Sequence, residues 1–254
     1  MKKISTLLAS LPLITTACGG GGDSAPDIPT PITNPSVDLT QLKGIWSDTG
    51  IQTYTSPSGQ VTTFQAPTAL VSSEEDMIIL TGASELYVIE SGASSAHYFS
   101  SFAYSTEIIP ETNLSSTGKF NLNYYNPKRA ANGLVSISSH GHYDSAINLA
   151  DLAGTWNDEY SSLTNWSFVF DSNGGFTAGR NGGCSASGNI SNIDATKSEL
   201  AVVITFAGGC LPLEGTHTGL AWTEEGNPNG ALNMAVYSGL DVSAKAIGWK
   251  LNKP

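Results

Sequence analysis

In the second half of the chain, short apolar runs alternate with glycine-rich turns. Residues 165–170 form such a run, ended by Asp171-Ser172-Asn173-Gly174-Gly175, a hairpin signal. Residues 176–180 follow, then the turn Asn181-Gly182-Gly183, then small residues alternating over 184–190. Residues 200–206 are continuously apolar, which predicts a strand buried on both faces. A further strand is expected over 215–222, before a polar turn at 224–230. Leu232, Met234 and Val236 alternate with Asn233, Ala235 and Tyr237, and Ile247, Trp249 and Leu251 share one face. Roughly eight strands at this spacing predict a small barrel or sandwich.

The first half is less regular. Strands are expected over 62–71, 76–80, 85–90, 96–108, 119–125 and 134–138, with Asn132-Gly133 as a hairpin turn. The halves share a repeat. Leu39, Leu42, Gly44, Trp46 and Asp48 recur as Leu149, Leu152, Gly154, Trp156 and Asp158, giving L-x-x-L-x-G-x-W-x-D twice. Repeats decide architecture. The expected fold is all-β: two tandem antiparallel β-meander units, 38–148 and 149–254, behind a flexible N-terminal tether. Each Trp should be buried in its own core, with the glycine two residues earlier letting the indole lie over the backbone.

Composition narrows the functions open to such a chain. There are 11 Lys+Arg against 22 Asp+Glu, a net charge of −11. Nucleic-acid binding needs clustered basic residues, so it is excluded as a partner. Charged residues are only 13% of the chain and glycines number 27, a poor basis for long helices. Apolar residues at 40% still suffice for a core.

The N-terminus is an address. Met1-Lys2-Lys3 is a positive n-region, followed by a mostly apolar stretch over 4–14 and then Thr15-Thr16-Ala17-Cys18. The stretch is too short to cross a bilayer as a helix, which takes about 20 residues. Ala17-Cys18 resembles the lipobox of Gram-negative bacterial lipoproteins, with Thr15 standing where leucine is usual. The resemblance implies a signal peptide over 1–17 and lipidation, with palmitate-type chains, at Cys18. Gly19, where aspartate would mark retention, resembles the signal for the outer membrane. Without Lys2 and Lys3 the net charge becomes −13, so the lipid and not a basic patch must hold the chain to an anionic surface. Residues 18–37 read as the lipidated cysteine and a disordered tether, its residues 19–37 holding four glycines and four prolines. Nineteen such residues reach about 25 Å on average. The G-x-W that opens each unit resembles the first strand of lipocalins and related calycin barrels, where the Trp packs across the closed barrel floor.

With Cys18 taken by lipid, Cys184 and Cys210 remain as a pair in an exported domain and are expected to form a disulfide. No nucleophile elbow, HExxH, P-loop or spaced GxGxxG occurs, so neither catalytic residues nor a cofactor are assigned. His140, His142 and Asp144 would share one face of an extended backbone and are the one candidate metal set, weighed against a plain polar loop. Glu74, Glu75 and Asp76 read as a solvated turn. Tyr98-Phe99 and Tyr124-Tyr125 are candidate surface aromatics, one of each pair facing inward. The function expected is a non-enzymatic binding or accessory module on the outer membrane. Its partners would be the membrane through the lipid, and an envelope protein or a small ligand. A structural lipoprotein is the alternative, an envelope hydrolase a weaker one.

Overall fold

The computed structural model of the chain describes residues 38–254, apart from 57, 66, 75, 81–84, 94–95, 101–105, 115–118, 127–130, 141, 160–164, 224–229 and 242. The signal peptide, Cys18, the tether and Glu75 lie outside the described residues, as do the side chains of His140, Tyr124 and Tyr125.

The described chain is nearly all β. The first sheet holds β1 (Gly44–Thr55), β2 (Val61–Gln65), β3 (Thr68–Val71), β4 (Asp76–Leu80), β5 (Glu85–Glu90), β6 (Ala96–Ser100), β7 (Thr106–Leu114), β8 (Lys119–Asn126) and β9 (Ala131–His140). All its pairings are antiparallel, in the order β2-β1-β3-β4-β5-β6-β7-β8-β9, and β9 returns to pair with β1, so the sheet curls back on itself. The start of β1 pairs with β3 and its end with β2, while its ladder with β9 shifts register between Ser47 and Ile51. A short helix, α1 (Leu149–Leu152), leads into β10 (Gly154–Asp158), β11 (Trp166–Phe170), β12 (Gly175–Arg180), β13 (Cys184–Asn192), β14 (Glu199–Phe206), β15 (Gly215–Thr223), β16 (Leu232–Tyr237) and β17 (Ala246–Asn252). These eight strands form a closed barrel, with β17 meeting β10 at Asn157↔Asn252 and Asp158↔Leu251.

The repeat builds the same device twice. Its two leucines bracket a helical turn, Thr40–Leu42 in the first copy and α1 in the second. The following Trp donates its indole N–H to the carbonyl of the second leucine, Trp46 to Leu42 and Trp156 to Leu152, both at 2.7 Å. A carbonyl at a helix end has no partner within the helix, so the indole fills an obligatory vacancy in the hydrogen-bond pattern. The glycine serves a different purpose from the one expected. A Cβ on Gly154 would meet nothing within 4 Å. Gly44 and Gly154 instead adopt φ of +144° and +119°, which a side chain would resist. At the second copy Leu149 and Leu152 pack on the core of the barrel, Leu149 reaching Gly174 in the β11–β12 turn. That end of the barrel is thereby closed.

Four expectations about strands are corrected. Residues 62–71 are two strands, β2 and β3, parted beside Pro67, which has no N–H for a ladder. Residues 96–108 likewise divide into β6 and β7. Asn132-Gly133 is no turn: it lies inside β9, with Gly133 opposite both Tyr54 and Tyr124. Glycine accepts extended backbone as readily as a turn, so the dipeptide misleads. The apolar 200–206 run is buried on one face only: Leu200, Val202, Ile204 and Phe206 point in, while Val203 and Thr205 are exposed.

The strands buried on both faces lie in the first sheet. Met77, Ile79, Tyr87 and Tyr98 face its interior, and the alternate residues Ile78, Leu80, Leu86, Val88 and Phe99 form a separate core with Trp222, Ala235, Ala244 and Ala246. Tyr98 and Phe99 are therefore both buried, on opposite faces, and neither is a surface aromatic. Beyond the two interiors the repeat implies, the sheets share this third core. Gly248 on β17 makes room for it, since a Cβ there would run into Leu80 Cδ1. Polar bonds cross the same joint: Trp222 donates to Thr68 Oγ1 at 3.1 Å, and the fully buried Glu199 carboxylate accepts from Ser73 N–H at 2.9 Å, from the Ser73 hydroxyl and from Tyr143 OH at 2.9 Å.

Candidate functional site

The end of the barrel away from α1 gathers a cluster of packed aromatic rings. Inward positions on β11, β14, β15 and β17 supply Trp166, Phe168, Phe206, His217 and Trp249. Trp166 lies 5.8 Å from Trp249 and 5.7 Å from Phe206, both edge-on; Phe206 is 5.0 Å from His217 and 6.3 Å from Trp249. On the β12–β13 side the wall is small, with Ala178 and Ala186 in register with Phe168 and Phe206.

Its polar atoms are the informative feature. Trp166, Trp249 and His217 are at most 2% exposed, yet Trp166 Nε1, Trp249 Nε1 and both His217 ring nitrogens have no hydrogen-bond partner among the described residues. A buried donor left unpaired costs about 1–3 kcal/mol, and most native structures satisfy nearly all of them. Burial holds the His217 pKa below its ordinary value; the nearby Gly215 carbonyl opposes this without completing a hydrogen bond. The imidazole is therefore neutral at pH 7 and offers one donor and one acceptor.

The segment 207–214 covers this end. It is tied to β13 by the Cys184–Cys210 disulfide, with Cα atoms 4.7 Å apart, as the cysteine arithmetic predicts. Cys210 and Leu213 are buried in the barrel core, while Leu211 is 75% exposed. Glu214 accepts the Gly209 N–H at 2.6 Å, holding the segment on itself.

The residues singled out from the sequence fall elsewhere. His140 ends β9 opposite Ile45, and His142 is exposed in the following turn. Asp144 is ion-paired to Lys197, whose ammonium also sits 5.1 Å over the Tyr143 ring. Asp144 thus works in the joint between the sheets. Among the described residues no three His, Cys, Asp or Glu stand together as metal ligands. Glu74 is exposed and Asp76 half-buried. Burial, then Glu90 and Glu74, raise the Asp76 pKa above the usual carboxylate range. The Tyr237 phenol is pushed up to about 12 by burial and by Asp76 and Glu90.

Trp166, His217 and Trp249 were legible only as members of strands. Their alternation marks them as inward, but which rings meet depends on how the barrel closes. No family model matches the chain, and no match was found among curated proteins or solved structures.

Proposed function

We propose that this chain is an exported, lipid-anchored binding module of the bacterial envelope, non-enzymatic, with a small-ligand site in its C-terminal barrel. The observation that carries the reading is the set of buried nitrogens of Trp166, Trp249 and His217 that find no partner among the described residues, inside the aromatic cluster of the barrel. Such groups call for a partner, ordered water or a bound molecule, and ligand sites characteristically combine apolar walls with a few polar groups. The lipobox-like Ala17-Cys18 and the glycine- and proline-rich segment after it support anchoring at the outer membrane. Two acyl chains or more make such anchoring stable, since one alone binds marginally.

The test is native mass spectrometry of the full-length chain purified in mild detergent from its own envelope. A discrete small-molecule adduct, reduced in Trp249→Phe, is the expected result. A bare protein mass in repeated preparations refutes the ligand site and leaves a structural lipoprotein. In the same preparations, Cys18→Ser should abolish acyl labelling and leave the chain unprocessed; normal labelling in that variant refutes the anchor.

A further inference from the structure

We infer that the chain self-associates through the edge of its first sheet: β2 of one copy pairs antiparallel with β2 of a second about a twofold axis at Thr63. Among the described residues β2 pairs with β1 alone, so its outer side is a sheet edge. The ladder shows which groups that edge offers. Ser56 N–H donates to the Gln60 carbonyl at 2.9 Å, so these two residues form a hydrogen-bonded pair. Bonded and non-bonded pairs alternate along an antiparallel ladder. In the register Thr55↔Val61, Tyr54↔Thr62, Thr53↔Thr63, the backbone groups of Thr62 and Phe64 are thus turned to β1. Those of Val61, Thr63 and Gln65 are turned outward, and none of the three is proline.

Sheet edges are commonly protected against pairing by a proline, a charge or a bulge. The far part of β7 shows such protection. Beyond Ile108 it pairs with β8 and, among the described residues, with no second strand, and that stretch carries Pro110 and Glu111. Val61–Gln65 carries neither proline nor charge, and residues 49–73 contain no Asp, Glu, Lys, Arg or His. Val61 is also 58% exposed, an apolar side chain at the start of the open edge.

Charge selects the occupant. A basic partner is drawn to the acidic residues of a chain with net charge −11 and gains nothing from an uncharged edge. Two copies of the chain repel one another, and a contact free of charge is where that repulsion costs least. The strand is also compatible with itself. With Thr63 on the axis, Val61 meets Gln65 of the second copy and Thr63 meets its own equivalent, and each bonded pair exchanges two backbone hydrogen bonds. A contact of one strand is small, so the dimer is weak and forms where copies are concentrated.

The test uses the full-length chain in mild detergent. Sedimentation velocity over a concentration series should show a monomer–dimer equilibrium. Thr63→Pro removes an outward N–H and leaves the β1 ladder its bonds, so circular dichroism should be unchanged while the dimer weakens at least tenfold. Register is read by cysteine cross-linking. Opposed bonded residues stand about 5.5 Å apart at Cα, within disulfide range. Thr63→Cys should therefore link to itself on mild oxidation, and Val61→Cys mixed with Gln65→Cys should give a mixed dimer. Gln65→Cys alone should not link, its two copies lying about 13 Å apart. Peptide mass spectrometry assigns each link and separates it from any made by Cys18. A monomer throughout the series with no link at residue 63 overturns the inference. A dimer indifferent to Thr63→Pro does the same, because the contact then lies elsewhere. Oxidation of Thr63→Cys in intact envelopes should give the same homodimer; a link to a different protein there replaces the second copy with a foreign strand and overturns self-association.

Discussion

A single side chain can be examined against its immediate surroundings, and Trp156 is the clearest case. Its indole donates to the Leu152 carbonyl within the barrel core. Trp156→Phe keeps most of the ring but strands that carbonyl. A loss of about 1–3 kcal/mol is expected from urea unfolding, against a near-neutral result if the bond were ornamental. Gly154→Ala has a separate cause, because its φ of +119° is hostile to any Cβ although the space is open. Destabilisation of about 1–2 kcal/mol is expected there, with no change at the Trp156 hydrogen bond. His217 gives a pH signature. Its folded pKa lies below the unfolded value of 6.5, so the unfolded chain binds the proton more readily. Its contribution is fully present above pH 6.5 and is lost as pH falls from there toward the folded pKa. His217→Phe should remove that part of the acid-side decline; an unchanged profile would show that His217 is not the group responsible. Asp76 has the opposite sign, its pKa being raised by burial and then by Glu90 and Glu74. The native state pays for its ionisation above the raised pKa, so Asp76→Asn should stabilise the chain at pH 7 and bring no gain below about pH 4.

Elements formed where local chemistry was unambiguous. The glycine-rich turns of the second half fix β11, β12 and β13 almost as the alternation predicts, because Asn, Asp and Gly supply turn conformations without help from distant residues. The L-x-x-L-x-G-x-W repeat was visible as a repeat, but its physical meaning was not. Only the folded chain shows that the leucines make a helical turn and that the indole caps it. The two-sided burial was misplaced for a related reason. The 200–206 run looks continuous, yet Val203 faces solvent, while β3 to β5 bury both faces because another sheet lies over them. Burial on the second face depends on a neighbour that periodicity does not name. The aromatic cluster was illegible for the same reason, since Trp166 and Trp249 are 83 positions apart and meet only across a closed barrel. The disulfide is a constraint at this scale. It joins residues 26 positions apart and clamps the covering segment to β13. Cys184→Ser with Cys210→Ser should cost roughly 3–4 kcal/mol by the loop-entropy relation. Unchanged urea midpoints between this variant and the parent would show that the clamp constrains only the segment 207–214.

At the scale of the whole molecule, the repeat and the shared core make opposing predictions. Two copies of one module, each with its own Trp-anchored interior, suggest halves that unfold independently. The third core argues otherwise, because Ile78, Leu80, Leu86 and Phe99 lose their cover if the barrel opens first. Separation would also strip the Ser73 and Tyr143 donors from the fully buried Glu199 carboxylate. An unpaired buried charge is far costlier than a lost surface contact. The joint should therefore impose one cooperative transition. Gly248 is the place to break it, since a Cβ there must displace Leu80 Cδ1, and the branched side chain of valine leaves Leu80 still less room. Unfolding can be followed separately in each sheet by hydrogen exchange with peptide-level mass spectrometry. The parent chain should show one midpoint in both sheets. Gly248→Val should split it into two, and adding Leu80→Ala should bring the midpoints together again by removing the clash, although Leu80→Ala alone costs about 2–5 kcal/mol. Non-additivity of this kind identifies direct contact between the two positions. Two midpoints in the parent would mean that each sheet is held by its own core, with the apolar face between them contributing adhesion but not cooperativity.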